Sequence, residues 1–118
     1  MRYEVKKITK MIDEVTNYFL FNYRCKTKIE VIPEKSGYTI NFFFEGLELE
    51  EKEMKKLLEI MGSGRDPSLA NYYWQLTGEI ENDNELYLIA MMCDDVKIEQ
   101  QKKGLSIMLS RKSLDVKK

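Results

Sequence analysis

Two pairs of alternating apolar and polar stretches, each pair joined by a tight turn, constrain the fold of this chain most. Residues 28–32 (KIEVI) and 38–44 (YTINFFF) alternate with the two-residue period of a β-strand, and PEKSG between them has hairpin composition. Residues 96–100 (VKIEQ) and 105–109 (LSIML) repeat this arrangement around the turn QKKG. We therefore expect two antiparallel hairpins, each with one apolar face.

Helical periodicity accounts for most of the remaining chain. Apolar residues at three- and four-residue steps predict helices at about 4–24, 50–61, 67–77 and 85–93. In the first helix the predicted buried stripe consists of Val5, Ile8, Ile12, Val15 and Phe19. Leu20 and Phe21 lie on the opposite side of that helix, so we expect another element to cover them. The order α-β-β-α-α-α-β-β predicts an α+β fold: a two-layer sandwich with a four-stranded, largely antiparallel sheet and helices on one face.

Composition narrows the class of protein. The 118 residues suit a single domain, and 19 basic against 20 acidic residues leave no charge excess for binding nucleic acid. We expect residues 112–118 to be a basic, flexible tail. No apolar run is long enough to span a membrane, and because the first residues do not have the layout of a signal peptide we expect none. Two widely spaced cysteines, Cys25 and Cys93, favour a cytoplasmic location, and the absence of histidine excludes Ser-His and Cys-His catalysis within this chain.

An acid and an amide one helical turn apart, Asp13 and Asn17, lie in the first predicted helix within DEVTNYFLFNY. This stretch resembles the N-box helix of the GHKL ATPase superfamily, the histidine-kinase-type ATPase domains. ELYLIAMMCDDVKIEQQKKGLSIMLSRK resembles the closing helix and hairpin of the same superfamily. Within it, the chain looks most like the bacterial anti-sigma-factor serine kinases, over a core without the strand and helix that usually precede the N-box.

The resemblance implies specific roles for residues of this chain. Asp13 would be the catalytic acid or base, and Asn17 would bind Mg²⁺ and nucleotide. The family motif D-x-G-x-G, whose aspartate binds adenine, aligns with FEGLE, so that Phe44 replaces the aspartate, Gly46 matches and Glu48 replaces the second glycine. Asn17, Phe44 and Gly46 would therefore form a vestigial nucleotide site.

These departures predict that nucleotide binding has been lost. A phenyl ring at Phe44 cannot accept the adenine hydrogen bond. In the region of the phosphate loop, Asp83 and Glu85 stand where glycines would be and place negative charge near the phosphates. The alternative is that Asp13 and Asn17 are an ordinary pair of solvated residues on a helix surface, without a functional role.

We therefore expect a regulatory, protein-binding module without a cofactor, whose partner is a sigma factor, an anti-sigma antagonist or another signalling protein. One alternative is an active serine protein kinase that uses ATP and Mg²⁺. Another is a domain that binds a different small ligand between the sheet and the lid segment. Phe43, Tyr73 and Trp74 are the candidate partner-binding residues, and core packing is the alternative for each.

Overall fold

The computed structural model of this chain describes residues 2–62 and 82–112. Within them the elements are α1 (Arg2–Asn22), β1 (Lys26–Glu34), β2 (Gly37–Glu45), α2 (Glu51–Gly62), α3 (Asn82–Met91), β3 (Asp95–Gln101) and β4 (Gly104–Lys112). The helix predicted at about 67–77 lies outside the described residues, as does the predicted tail beyond Lys112. No helix in the described part of the chain is both long enough and apolar enough to cross a bilayer.

The four strands form one sheet in the order β1-β2-β4-β3, and every neighbouring pair is antiparallel. The two predicted hairpins are therefore present, and they join side by side through β2 and β4. This confirms the α+β two-layer sandwich.

Both hairpins turn over two residues, and a glycine follows each turn. Gly37 lies opposite Glu34, and Gly104 lies opposite Gln101. A Cβ atom on Gly104 would be 2.3 Å from the carbonyl oxygen of Phe44, and one on Gly37 would be 2.1 Å from that of Arg111. Each glycine is therefore required because its backbone abuts the neighbouring hairpin.

One face of the sheet carries the core. Its most buried side chains are on the two central strands: Ile40, Phe42, Phe44, Leu105, Ile107 and Leu109. The other face carries partly exposed residues, among them Thr39, Asn41, Phe43, Ser106 and Met108. The alternation predicted this division, because side chains of successive strand residues point to opposite faces.

Helix α1 packs on the core through a face slightly different from the predicted one. Met11 is fully buried, whereas Val5 is 47% exposed. At about 100° per residue, the buried face is rotated by roughly 35° from the predicted stripe. The rotation brings Glu4 to Arg111 of β4, where the two side chains form a bidentate ion pair.

The other two helices complete the layer over the sheet. Helix α3 contacts both α1 and α2, and α2 also contacts β3. Because α3 lies between the other two helices, it is buried on more than the one predicted side. Leu88 and Met91 are buried together with Leu86, Ile89 and Ala90.

Candidate functional site

Asp13 and Asn17 lie on the exposed face of α1. They are one helical turn apart, and each lies about 160° around the helix from the buried residue two positions later, Val15 for Asp13 and Phe19 for Asn17. They therefore share a surface with solvent and point away from the sheet.

Phe44, the residue at the position of the family's adenine-binding aspartate, lies in the core and is fully buried. Its ring stacks on Phe19 with a centroid distance of 4.3 Å and an interplanar angle of 25°, and it lies parallel to Phe42 at 6.1 Å. Since Phe44 packs against the sheet-facing side of α1, the structure does not bring it together with Asn17.

Gly46 ends the β1–β2 hairpin and turns the chain away from the sheet. Its φ of +77° is in the left-handed region, which glycine adopts without strain. Its N–H donates to the carbonyl oxygen of Lys103 at 2.7 Å, within the β3–β4 turn. The matching glycine therefore has a local conformational role in this fold, and Glu48 beyond it is exposed.

Gln100 of β3 holds the segment that follows Gly46. Its Oε1 accepts a hydrogen bond from the N–H of Leu49 at 2.9 Å, and its Nε2 donates to the carbonyl oxygens of Leu47 at 2.9 Å and Gly104 at 3.2 Å. The sequence pattern does not predict this role, because a polar residue in an edge strand carries no local signal of its partner.

The start of α2 is held by a second polar contact. Glu53 accepts a hydrogen bond from the N–H of Glu50 at 3.0 Å, and Tyr23 donates its hydroxyl to the same carboxylate at 3.4 Å. Burial, together with the negative charge of Glu53, raises the pKa of Tyr23 to about 12. Tyr23 therefore stays a neutral donor at physiological pH and links the end of α1 to α2.

Arg111 joins three elements at the other end of the sheet. Its Nε and Nη2 donate to the two carboxylate oxygens of Glu4 at 3.0 and 3.2 Å, and its Nη1 donates to the carbonyl oxygen of Met92 at 2.6 Å. Burial raises the pKa of Glu4, but the hydrogen bond and the charge of Arg111 outweigh burial and leave the pKa below its ordinary value. The pair fixes the start of α1 against β4, so its role is positional.

An open cleft of about 400 Å³ lies beside Arg111, at the end of the sheet opposite Phe44 and Gly46. It is lined by Glu34, Lys35, Ser36, Gly37, Tyr38, Thr39, Ser110, Arg111 and Lys112. Hydroxyl and cationic groups predominate, although Glu4 already neutralises the guanidinium of Arg111. Tyr38 is the one aromatic residue among the residues that line the cleft.

Neither metal ligation nor thiol chemistry is indicated in the described residues. In that part of the chain, no group of three or more His, Cys, Asp or Glu side chains is arranged to hold a metal ion. Cys93 is buried, and its Sγ contacts the carbonyl oxygen of Ile89 at 3.3 Å.

Of the three candidate partner-binding residues, only Phe43 is described, because Tyr73 and Trp74 lie outside the described residues. Phe43 is half-buried on the polar face of the sheet, between Lys28 of β1 and Ser106 of β4. Its ring covers Gly104: a Cβ atom there would be 2.9 Å from the phenyl Cζ. Phe43 therefore packs over a hairpin and still presents part of its ring to solvent.

The last turns of α1 carry an apolar surface that sequence analysis expected to be covered. That expectation is wrong: Phe21 is 78% exposed and Leu20 is 54% exposed. Both lie on the same side of α1 as Asn17 and face solvent.

Comparisons of this chain with family models, with curated proteins and with solved structures found no match.

Proposed function

We propose that this chain is a regulatory protein-binding module, and that it contacts its partner through the outward surface of α1 formed by Asn17, Leu20 and Phe21. The observation that carries the proposal is the exposure of Phe21 and Leu20, 78% and 54%. Burying a phenylalanine or leucine side chain contributes about 1.5–3 kcal/mol, so a partner that covers both gains a substantial free energy.

The composition of this outward α1 surface suits an interface. Large aromatic side chains dominate the free energy of many protein–protein interfaces, and polar groups surround them at the rim. Here the phenyl ring of Phe21 is the anchor, and the exposed Asp13 and Asn17 supply polar groups on the same side of α1.

The location of Phe44 supports binding without nucleotide. An adenine bound as in the GHKL family would need an acceptor at this position, and here the position is occupied by a ring stacked within the core. The exposed Asp13 and Asn17 are then available for contact with a protein rather than for holding a nucleotide. The GHKL resemblance supplies the class of partner: a sigma factor, its antagonist or a related signalling protein.

The experiment is site-specific photo-crosslinking in the source cells. A photoreactive phenylalanine analogue replaces Phe21 and, as the matched control, Leu58 of α2, which is also a large exposed side chain at 47%. We expect one protein adduct that depends on position 21. The adduct partner is then purified, and its affinity is measured for the original chain, Phe21→Ser and Leu58→Ser.

Phe21→Ser is expected to weaken binding about tenfold or more, because loss of an aromatic anchor costs 2 kcal/mol or more, whereas Leu58→Ser leaves it unchanged. The same adducts at both positions, or equal affinities, would refute the proposal.

Thermal unfolding with ATP and Mg²⁺ tests the kinase alternative. A ligand at 100 times its dissociation constant adds about 2.7 kcal/mol to the free energy of unfolding, and we expect no such shift.

A further inference from the structure

We propose that β1 is the interface of a symmetric homodimer, in which the β1 strands of two copies pair antiparallel and join the two sheets into one. This inference rests on the sheet edge and does not depend on the proposed function. The outward α1 surface and the β1 edge are composed of different residues, so each can be tested without the other.

Among the strands that the structure describes, β1 is a terminal strand of the sheet order, so its outer edge pairs with none of them. The turn after Glu34 directs the backbone groups of that residue toward Gly37 on β2. Since successive residues of an antiparallel strand alternate in direction, the N–H and C=O groups of Thr27, Ile29 and Val31 point outward. Pro33, the next outward residue, has no N–H and ends the run of donors.

One register pairs these outward groups with those of a second copy. If the twofold axis passes beside Ile29, then Ile29 lies opposite Ile29 of the second copy, and each Thr27 lies opposite a Val31. Each of these three pairs can exchange two N–H···O bonds, because all of their donors and acceptors point outward. The register uses every outward N–H of β1 between Thr27 and Val31.

Charge selects the same register. With the axis beside Ile29, Lys28 of each copy lies opposite Glu30 of the other, which forms two cross-strand pairs of opposite charge. An axis beside Lys28 or Glu30 would instead place identical charges opposite each other. An axis beside Val31 would place Ile29 opposite Pro33 and lose the hydrogen bonds that the proline cannot donate.

The apolar side chains of β1 fit this arrangement. Ile29 and Val31 lie on the helix-side face of the sheet but remain 40% and 41% exposed. In the paired register, Ile29 packs on its copy and Val31 packs beside Thr27, so that apolar area is removed from water. Charged residues and proline on edge strands commonly prevent unwanted pairing. In β1, Lys28 and Glu30 are complementary in one register, and Pro33 removes hydrogen bonds from another. These residues therefore restrict pairing to the first register.

Charge reversal tests the register in the full chain. Sedimentation velocity over a range of concentrations measures the dissociation constant of the dimer for the original chain, Lys28→Glu, Glu30→Lys and the double variant. Each single reversal creates two repulsive pairs and is expected to raise the dissociation constant about tenfold or more. The double variant restores opposite charges and is expected to return the constant to its original value.

Two controls separate this interface from general charge effects. Lys97→Glu makes the same charge change at an exposed residue of the other edge strand and is expected to leave the dimer intact. Amide hydrogen exchange at high and low concentration should show concentration-dependent protection at Thr27, Ile29 and Val31, and none at Val96 and Ile98.

Several outcomes would overturn the proposal: a chain that stays monomeric at the highest concentration, single reversals without effect, or a double variant that is not restored. Weakening by Lys97→Glu as large as that by Lys28→Glu would do the same, as would protection of the β3 amides alone.

Discussion

The two edge strands of the sheet are built alike but covered differently. Each belongs to a hairpin with a two-residue turn, and each carries two apolar residues on the helix-side face, Ile29 and Val31 on β1 and Val96 and Ile98 on β3. Val96 and Ile98 pack against the core, whereas Ile29 and Val31 remain 40% and 41% exposed.

The cause of the difference is the position of the helix layer. Helix α2 contacts β3, and Gln100 of β3 also binds the segment that precedes α2. The contact between Glu4 and Arg111 joins the start of helix α1 to β4. The layer is thus displaced toward the β3–β4 hairpin. The same alternation of apolar and polar residues therefore occurs in β3, which is covered, and in β1, which is open.

A charge placed at the two edges should show the largest contrast. Ile98→Asp puts a carboxylate against the core, and we expect a loss of about 3 kcal/mol in the free energy of unfolding. Ile29→Asp loses the same intrinsic strand preference but stays hydrated, and we expect about 1 kcal/mol. Urea unfolding at low protein concentration measures both, so that dimerisation does not contribute. Equal losses would show that the edges are covered alike.

The polar contact at the covered edge should have an intermediate effect. Gln100→Ala leaves the Leu49 N–H and the Leu47 carbonyl without their partner, and we expect a loss of about 2 kcal/mol. Thr27 occupies the corresponding helix-side position at the same end of β1, and Thr27→Ala should cost less than about 0.5 kcal/mol. Exchange of the Leu49 amide, followed by NMR, should accelerate in Gln100→Ala alone. Unchanged exchange there would contradict the assigned hydrogen bond.

Much of the sheet could be predicted from the sequence, because its information is local. Alternation assigns Ile29, Val31, Phe42 and Phe44 to one face, and a two-residue turn then fixes which residues lie opposite each other. Alternation does not tell whether that face is covered. The exposure of Ile29 and Val31 depends on where helices from distant parts of the chain come to lie, and no local pattern encodes it.

The candidate site was less predictable for the same reason. The helical pattern assigned Asp13 and Asn17 to a polar face, and both are exposed. The pattern did not identify Glu4 as buried, because its partner Arg111 is distant in the sequence. The exposure of Val5 was hidden for the same reason, because the side of α1 that carries Glu4 faces a distant part of the chain. Phe44 was assigned by resemblance to a ligand-facing position, whereas alternation alone places it with the core residues.

Removing the ion pair between Glu4 and Arg111 should have the smallest effect on the free energy of unfolding. The same ion pair should make that free energy depend on pH. The pKa of Glu4 is lower in the folded chain than in the unfolded chain, so the folded chain binds this proton less tightly. The stabilisation is therefore present above the unfolded pKa, near 4.5, and is lost as the pH falls through the folded pKa. Urea unfolding between neutral and strongly acidic pH should show this loss in the original chain and not in Glu4→Gln.

Arg111→Met is the sharper comparison, because it should reverse the sign of the pH dependence. Without the guanidinium, burial is the largest remaining influence on the pKa of Glu4, and only the charges of Lys7 and the N-terminus oppose it. We expect the pKa to rise above the unfolded value, so that this carboxyl destabilises the fold increasingly as the pH rises. The double variant Glu4→Gln with Arg111→Met should remove the dependence again. Because neither residue belongs to β1, all three variants should dimerise as the original chain does at neutral pH. If Arg111→Met instead retained the acid-sensitive loss, Arg111 would not be the group that lowers the pKa of Glu4.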